Sequence, residues 1–305
     1  MKKGWKIFWI VCACLAGVGI LLCIGGFAMG ASFAGVEQAV WGFENRVEKH
    51  TEQLEDREDR LDDAYDNDDF DDVEATRFSG NRDVITNGMT VAAADIRELD
   101  VDVCWLMVEI QETEGNDIVF LTDNIPAEAA EQLILTQEGA ELEVQLQHEK
   151  EWNQMMKNLG ELALLTIQIP KEHQIQTMTL SIGEGVLGAD NIQTDELNIE
   201  VGAGNAEITQ FTARVLDVEV DAGEANIAGH ADMEANIECG IGKVNYQAAG
   251  SKEDYSYDIE VGAGRVLIDN EEYSGISKGK KSSHGGKMME IECGIGEVIV
   301  GFMGA

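Results

Sequence analysis

The chain has 305 residues, of which 44% are hydrophobic, and this length suits one or two domains with a sizeable core. It carries 58 acidic residues against 21 Lys and Arg, which gives a formal net charge of −37. A charge this negative repels nucleic acid and anionic lipid headgroups and excludes both as ligands of the soluble part; it is typical of an extracellular protein that must stay soluble, or of one that attracts cations.

The first predicted element is a membrane anchor. Residues 7–36 contain no charged side chain, and this run exceeds the ~20 apolar residues that span a bilayer. Three lysines precede it and acidic residues begin at Glu37, so the positive-inside rule places the N-terminus in the cytoplasm and the rest outside. A cleaved signal peptide is the alternative, although its apolar region usually has only ~7–15 residues. We therefore predict a single-pass protein of the cell membrane, with residues 1–36 as its cytoplasmic tip and transmembrane anchor.

Residues 37–78 are predicted to form an acidic helical stalk and linker. Apolar side chains from Val36 to Leu61 recur at heptad spacing, and Gly26 and Gly30 form a GxxxG pair in the preceding apolar run. Both patterns favour weak self-association of the anchor and stalk, although two polar residues at the heptad seam argue against a long coiled coil. The end of the stalk is rich in Asp and Glu, which is typical of a solvated, self-repelling linker. It lacks the central Gly and terminal Glu of an EF-hand loop.

The rest of the chain, residues 79–305, is a series of short repeats. Aligned units begin at Met178, Leu197, Leu216, Ala235, Tyr257 and Met289. The first four starts are 19 residues apart, and the next gaps are 22 and 32 residues. Alternate residues are apolar, as in Leu197, Ile199 and Val201, which indicates strands with one buried face. A fixed period of this size predicts an all-β, β-helix-like solenoid of stacked coils of roughly 19 residues.

A glycine recurs as the eighth residue of every unit. These six glycines are Gly185, Gly204, Gly223, Gly242, Gly264 and Gly296. A tight corner needs a backbone geometry that a Cβ blocks, and stacked corners also leave little room for side chains. The glycines are therefore interpreted as structural turn residues. An antiparallel meander is the alternative, but the second turn of each unit lacks the regularity that hairpins would require.

Flanking segments are predicted to join the same architecture. Residues 99–110 fit the template, with Leu106 in the place of its glycine. Further strands are predicted at 118–121, 133–136, 142–146 and 162–169, and a short helical turn at 127–132. Residues 271–287, an insertion in the last gap, are predicted to be a mobile loop.

The cysteines do not indicate a zinc site. Three of the six lie in the apolar N-terminal run, and the other three have no CxxC spacing and no nearby pair of histidines. If the coils stack in chain order, Cys239 and Cys293 lie two coils apart, with ~9.6 Å between their Cα atoms. That distance exceeds the reach of a disulfide, so we predict that both are reduced and buried.

A column of acidic residues is predicted on the outer face. Its members are Glu200, Glu219, Glu238, Glu260 and Glu292. Carboxylates this close repel one another unless they are screened or bridged, so the column could bind a divalent cation or a cationic partner. The alternative is a solvated acidic face that keeps a β protein with open edges from aggregating. The alternative is favoured, because a flat face rarely supplies the six to eight oxygens that calcium needs. No other cofactor is predicted.

Nothing in the sequence indicates an enzyme. The five histidines are scattered and none lies in a nucleophile motif. The acidic residues recur by repeat position, which is typical of architecture and not of one asymmetric catalytic site.

The units LNIEVGAGNAEI, LDVEVDAGEANI and YDIEVGAGRVLI, entered through TIQIPKEHQIQTMTLSIGEG, resemble the "putative adhesin" β-strand-repeat family of domains of unknown function. The resemblance covers roughly residues 95–302 and implies a membrane-anchored protein, mainly of Gram-positive bacteria, but it transfers no site residues. Two functions are consistent with it. One is a cell-surface binding or adhesion module whose ligand is wall polymer, host matrix or another cell. The other is a structural or regulatory envelope-stress protein that docks a membrane partner.

Overall fold

The structure, a computed structural model, describes residues 76–78, 80–146, 163–281 and 286–304. The predicted membrane anchor and almost all of the predicted stalk lie outside these residues, so both stay predictions, as does the self-association assigned to them. No helix within the described ranges is long and apolar enough to cross a membrane. Phe78, at the end of the predicted stalk, is buried, and its N–H donates to the carbonyl of Thr90 at 2.9 Å.

The described residues form an all-β domain. Its first eleven strands are β1 (Arg82–Val84), β2 (Met89–Ala92), β3 (Glu98–Val103), β4 (Met107–Thr113), β5 (Asp117–Asp123), β6 (Ile134–Glu138), β7 (Glu141–Leu146), β8 (Leu164–Pro170), β9 (Thr177–Ile182), β10 (Val186–Ala189) and β11 (Ile192–Gln193). The others are β12 (Glu196–Val201), β13 (Asn205–Val220), β14 (Glu224–Cys239), β15 (Lys243–Ala248), β16 (Tyr255–Val261), β17 (Arg265–Ile268), β18 (Glu271–Ser274), β19 (Ser277–Lys281), β20 (Lys287–Cys293) and β21 (Glu297–Phe302). One short helix, α1 (Ala127–Ala130), and two 3-10 turns, Ala93–Asp95 and Lys252–Asp254, complete the described elements.

All strands except β11 build two walls that meet at a line of stacked turns, and β11 pairs with the middle of β13. Wall A has the order β1-β6-β7-β3-β9-β12-β13-β14-β20-β16-β19, with the C-terminal halves of β13 and β14. Wall B has the order β2-β5-β8-β4-β10-β13-β14-β15-β21-β17-β18, with the N-terminal halves of β13 and β14. Neighbours in the middle of each wall are parallel and in register. The predicted β-solenoid of stacked coils is therefore observed in the described region.

The core lies between the walls and consists of the alternating apolar residues. Ile199 of β12 is fully buried and pairs with Val218, which pairs in turn with Ile237. Each inward residue thus stacks on an inward residue of the next coil, so a one-residue slip would turn a whole strand's apolar set towards solvent. This penalty fixes the register along the stack.

The coils do not stack in chain order at either end. The last unit of the chain is inserted between two earlier ones, because Met289 pairs with both Ala235 and Tyr257. At the other end of the stack, β3 lies between β7 and β9. The coil that contains β7 therefore lies outside the coil that contains β3, although β7 follows β3 in the chain. The expectation of chain-order stacking behind the cysteine argument is therefore wrong. The long gaps of the repeat contain the connections by which the chain passes to an outer coil and then returns to the inner position.

Both ends of the stack are covered by antiparallel strands. At one end β18 pairs with β17 and β19 pairs with β16; at the other, β5 and β2 cover wall B while β6 and β1 cover wall A. The prediction of a mobile loop at 271–287 is thus wrong for residues 271–274 and 277–281, which are paired strands. Short edge strands of this kind protect a sheet from pairing with another chain.

Two predicted flanking strands, 118–121 and 142–146, fall within β5 and β7, while 133–136 and 162–169 overlap β6 and β8 but begin one and two residues earlier. The predicted helical turn contains α1. Cys239 and Cys293 are buried free thiols, as predicted, but for a different reason. They lie in neighbouring strands and pair directly, so distance does not keep them apart. Burial raises the pKa of the Cys239 thiol to about 11, which keeps it protonated and unreactive.

Candidate functional site

The turns between wall A and wall B form a ladder of their own. The N–H of Ala203 donates to the carbonyl of Gly183 at 2.7 Å, that of Ala222 to Gly202 at 2.8 Å, and that of Ile241 to Asp221 at 2.7 Å. Successive turns are therefore as closely stacked as successive strands. This ladder positions the side chains on both sides of the corner.

The six predicted turn glycines lie in one column of this ladder. A Cβ on Gly204 would overlap the carbonyl of Gly185, and one on Gly223 would overlap that of Gly204; the rest of the column repeats the contact. None of the six has a positive φ, so a left-handed backbone is not the reason for glycine here. Glycine is required here because stacked corners leave no space for a side chain, which was the other reason predicted from the sequence.

A second glycine column was missed in the sequence. Its members are Gly183, Gly202, Gly240, Gly294 and Gly262, two residues before the first column, with Asp221 in the one remaining turn. A Cβ on Gly202 would lie 2.7 Å from the carbonyl oxygen of Gly183, and one on Gly240 would lie 2.8 Å from that of Asp221. The GxG pattern that recurs in five units was the available signal.

The five predicted glutamates form one continuous column on wall A. Its spatial order is Glu200, Glu219, Glu238, Glu292 and Glu260, with the last two exchanged relative to the chain. This set is called the acid column below. At one end Ser181 donates from its hydroxyl to Glu200 at 2.9 Å. At the other end Lys278 of β19 forms an ion pair with Glu260.

Burial and then mutual repulsion raise the pKa values of several carboxyls on wall A. Burial and then the neighbouring Glu238 raise the pKa of Glu219, and burial followed by Glu238 raises the pKa of Glu292. Further along the same wall, burial and then Glu143 raise the pKa of Asp100 to about 6. Wall A therefore favours the approach of positive charge.

A shallow depression of about 220 Å³ lies where the acid column meets the turns. Its polar lining comes from Asp102, Ser181, Glu200, Glu219 and Asp221, and the glycines of two turns form its floor. The small side chain of Ser181, between Asp102 and Glu200 on the wall, leaves the space open. In the described parts of the chain, no three His, Cys, Asp or Glu side chains are placed to hold a metal ion. Cation binding along the column stays a prediction.

The described histidines do not share a site. His173 places Nε2 2.8 Å from the carbonyl oxygen of Ile96, and His230 places Nε2 2.8 Å from Oδ1 of Asp232. His50, His148 and His284 lie outside the described residues. The described geometry therefore offers a shaped and charged surface as the candidate site.

A comparison with family models agrees with the predicted resemblance. The model of the family described as Toastrack DUF4097 matches residues 96–284. A solved structure of a "putative cell adhesion protein" from Clostridium sporogenes has 15% identity and a TM-score of 0.39, covering 72% of this chain and 97% of that chain. A solved "putative adhesin" from Bacteroides fragilis has 13% identity and a TM-score of 0.40, covering 73% and 99%. No curated protein matches the chain.

Proposed function

This chain belongs to the Toastrack DUF4097 family, and we propose that it is a non-catalytic, membrane-anchored binding or adhesion module that acts at the cell envelope. The anchor in this proposal is the one predicted from residues 1–36. The repeat domain would then lie outside the cell, where its strong negative charge keeps it soluble.

The observation that carries the proposal is the uniform outer surface of wall A. One acidic residue type recurs in five adjacent coils, from Glu200 to Glu260. An enzyme needs different groups that converge on one reacting atom. A repeated column instead offers the same contact several times, which suits an extended ligand held through many weak interactions.

The second candidate function is a structural or regulatory envelope-stress protein that docks a membrane partner of its own cell. The length of the predicted stalk favours it. About 40 residues extend only ~60 Å even if they are entirely helical, which is too short to cross a thick wall. A domain held so close to the membrane would meet other membrane proteins first.

The test is a pull-down with the full chain in lipid nanodiscs. The baits are isolated wall material, host matrix proteins and solubilised membranes, each with calcium and with chelator. Capture by wall or matrix supports the binding module. Capture of one membrane protein alone contradicts it and supports the second candidate.

A matched pair of variants assigns any captured ligand to wall A. Glu219→Gln removes one charge from the acid column, while Glu207→Gln removes one charge at an exposed position on wall B. We expect the first to weaken capture and the second to leave it unchanged. If the wild type captures the ligand with calcium but not with chelator, a divalent cation bridges the acid column and the ligand.

A further inference from the structure

The corner between the walls carries an apolar ridge. It is formed by one residue from each of six stacked turns, in the spatial order Ala203, Ala222, Ile241, Ile295, Ala263 and Ile276. In the next turn beyond Ala203, between Gly183 and Gly185, Glu184 takes this place and ends the ridge. The N–H of Ile295 donates to the carbonyl of Gly240, and that of Ala263 donates to Gly294, both at 2.7 Å. The ridge residues are therefore spaced by about 4.8 Å, the separation of hydrogen-bonded strands.

Ile276 extends the ridge by one step at the covered end of the stack. It lies in the turn between β18 and β19, whose ends pair with the ends of β17 and β16: Ser274 pairs with Arg265, and Ser277 pairs with Val261. The β18–β19 turn thus stacks over the turn that contains Ala263.

The isoleucines of this ridge are strongly exposed. Ile241 is 67% exposed, Ile295 65% and Ile276 93%. Glycines flank Ile241 and Ile295 on both sides, so no neighbouring side chain within their turns shields them, whereas Asp221 lies beside Ala222. Six consecutive uncharged positions stand out in a chain of net charge −37. Contiguous exposed apolar residues rimmed by polar ones mark interaction sites.

Charge differs on the two sides of the ridge. On wall A lies the acid column. On wall B the corresponding residues pair among themselves, with Lys243 Nζ 3.5 Å from Glu224 Oε1 and an ion pair between Arg265 and Glu297. A partner would therefore meet a continuous line of carboxylates on the wall A side only. The ion pair of Lys278 with Glu260 shows a lysine already bound at the end of the column.

The dimensions of this corner fit an α-helix. Three residues of extended chain, about 10 Å, separate Ala203 from Glu200, and a helix with its side chains is about 10–12 Å wide. The ridge from Ala203 to Ile276 has five steps of about 4.8 Å, so it is about 24 Å long, the length of a helix of about 16 residues.

We propose that this ridge and the adjoining acid column dock a basic amphipathic helix of a partner protein. The apolar stripe of the helix lies on Ile241, Ile295 and Ile276, and its Lys or Arg side chains reach the acid column. The inference rests on the proposed binding function and names the surface and the partner's chemistry. A second copy of the chain fits less well because it brings its own acid column, and an anionic lipid surface would be repelled.

The test uses the full chain in phosphatidylcholine nanodiscs and a labelled peptide of 16 residues. The peptide carries Leu at positions i, i+3, i+4 and i+7 and Lys at the other positions, so that the leucines form one stripe along the helix. Fluorescence anisotropy measures its Kd for the protein, and nanodiscs without protein serve as the blank. A second peptide replaces every Leu by Ser and keeps the charge. We expect the second peptide to bind at least tenfold more weakly. Equal binding of the two would reduce the interaction to charge alone and overturn the proposal.

Variants locate the binding surface. Ile241→Ser with Ile295→Ser is expected to raise Kd at least tenfold, and Glu219→Gln with Glu238→Gln several-fold. The control Met233→Ser, at an exposed methionine (54%) away from this corner, should stay within twofold of the wild type. Wild-type affinity in the isoleucine variant, or an equal loss in the control, overturns the proposal. A dimer of the full chain that the isoleucine variant dissociates would also overturn it, because the occupant is then a second copy.

The outcomes separate this inference from the proposed function. Capture of wall or matrix that persists in the isoleucine variant, without peptide binding, refutes the helix dock and keeps the binding module. Peptide binding at the ridge with no wall or matrix captured refutes the adhesion role and keeps the dock.

Discussion

Gly242→Ala tests whether the turn glycines are required by space. A Cβ at this position would overlap the carbonyl of Gly223 and would lie 2.7 Å from Cγ1 of Val220. Relief requires the turn to move away, which stretches the bonds from Lys243 N to Gly223 O at 2.9 Å and from Ile241 N to Asp221 O at 2.7 Å. Overpacking costs about 1–3 kcal/mol and each weakened hydrogen bond about 0.5–1.5 kcal/mol. We expect a loss of about 2–6 kcal/mol in the free energy of unfolding.

The matched control is Gly188→Ala in β10. There the nearest atom to an added Cβ is Cγ of Glu109 at 3.9 Å, an ordinary contact. This change should be neutral or should stabilise by about 0.4–1 kcal/mol, because alanine reduces the entropy of the unfolded chain. Urea unfolding of both variants, followed by far-UV circular dichroism, measures the difference. Equal stability of the two variants would refute the crowded stack as the reason for the glycine column.

Two further predictions concern titration and thiol chemistry. The pKa of Asp100 is about 6 in the folded state against 3.8 for the free side chain, so the folded state binds more protons between these values and stability should fall as pH rises from about 4 to about 6. This pKa difference corresponds to a change of at most about 3 kcal/mol in the free energy of unfolding. Solvent screening of the half-buried Asp100 reduces the expected change to about 1–2 kcal/mol. Asp100→Asn should flatten the pH profile of the urea midpoint, whereas exposed Asp190→Asn should not; an unchanged profile in Asp100→Asn would contradict the assignment. Cys239 and Cys293 should resist maleimide until the protein is denatured, because burial raises both pKa values. Peptide mass spectrometry reads out the labelling, and a disulfide between the two found under non-reducing conditions would show that they are not held as thiols.

The regular part of the fold could be predicted because its physics is local to each coil. Alternation in Leu197, Ile199 and Val201 determines which face is buried, and the recurring glycine determines where the corners stack. The acid column followed from the same register, because residues at one repeat position must share one face of a wall. These predictions needed only the period and the alternation.

The order of the coils at the C-terminal end needed more than the period. The hexapeptide IECGIG occurs twice, at 237–242 and 291–296, and these two units are the ones that pair directly. Like residues stack on like ones, Cys239 on Cys293 and Ile237 on Ile291, so the match of side-chain volumes was a usable signal. Spacing alone could not show the order of the coils, because a gap of 32 residues is long enough for the last coil to lie either at the outer end of the stack or between two earlier coils.

The exposed ridge could not be predicted from the same alternation. Ile241 and Ile295 fall between two glycines, where the strand period stops and no rule assigns a side chain to the core or to solvent. Their exposure follows from the turn ladder, whose middle residue points away from both walls. Once the turns are known to stack, their middle residues must form a line, and this line is uncharged from Ala203 onward because Glu184 occupies the turn before it.

The inserted coil also changes how the domain can hold together. A solenoid stacked in chain order is stabilised only by neighbours in sequence and can lose its terminal coil with little effect on the rest. Here β20 and β21 end the described chain yet lie inside the stack, each between two earlier strands. The outer coil of β16 and β17 has no inner neighbour until they are in place. The stack must therefore close over long sequence separations, and this ties its C-terminal coils into one cooperative unit whose outer edge carries the exposed Ile276.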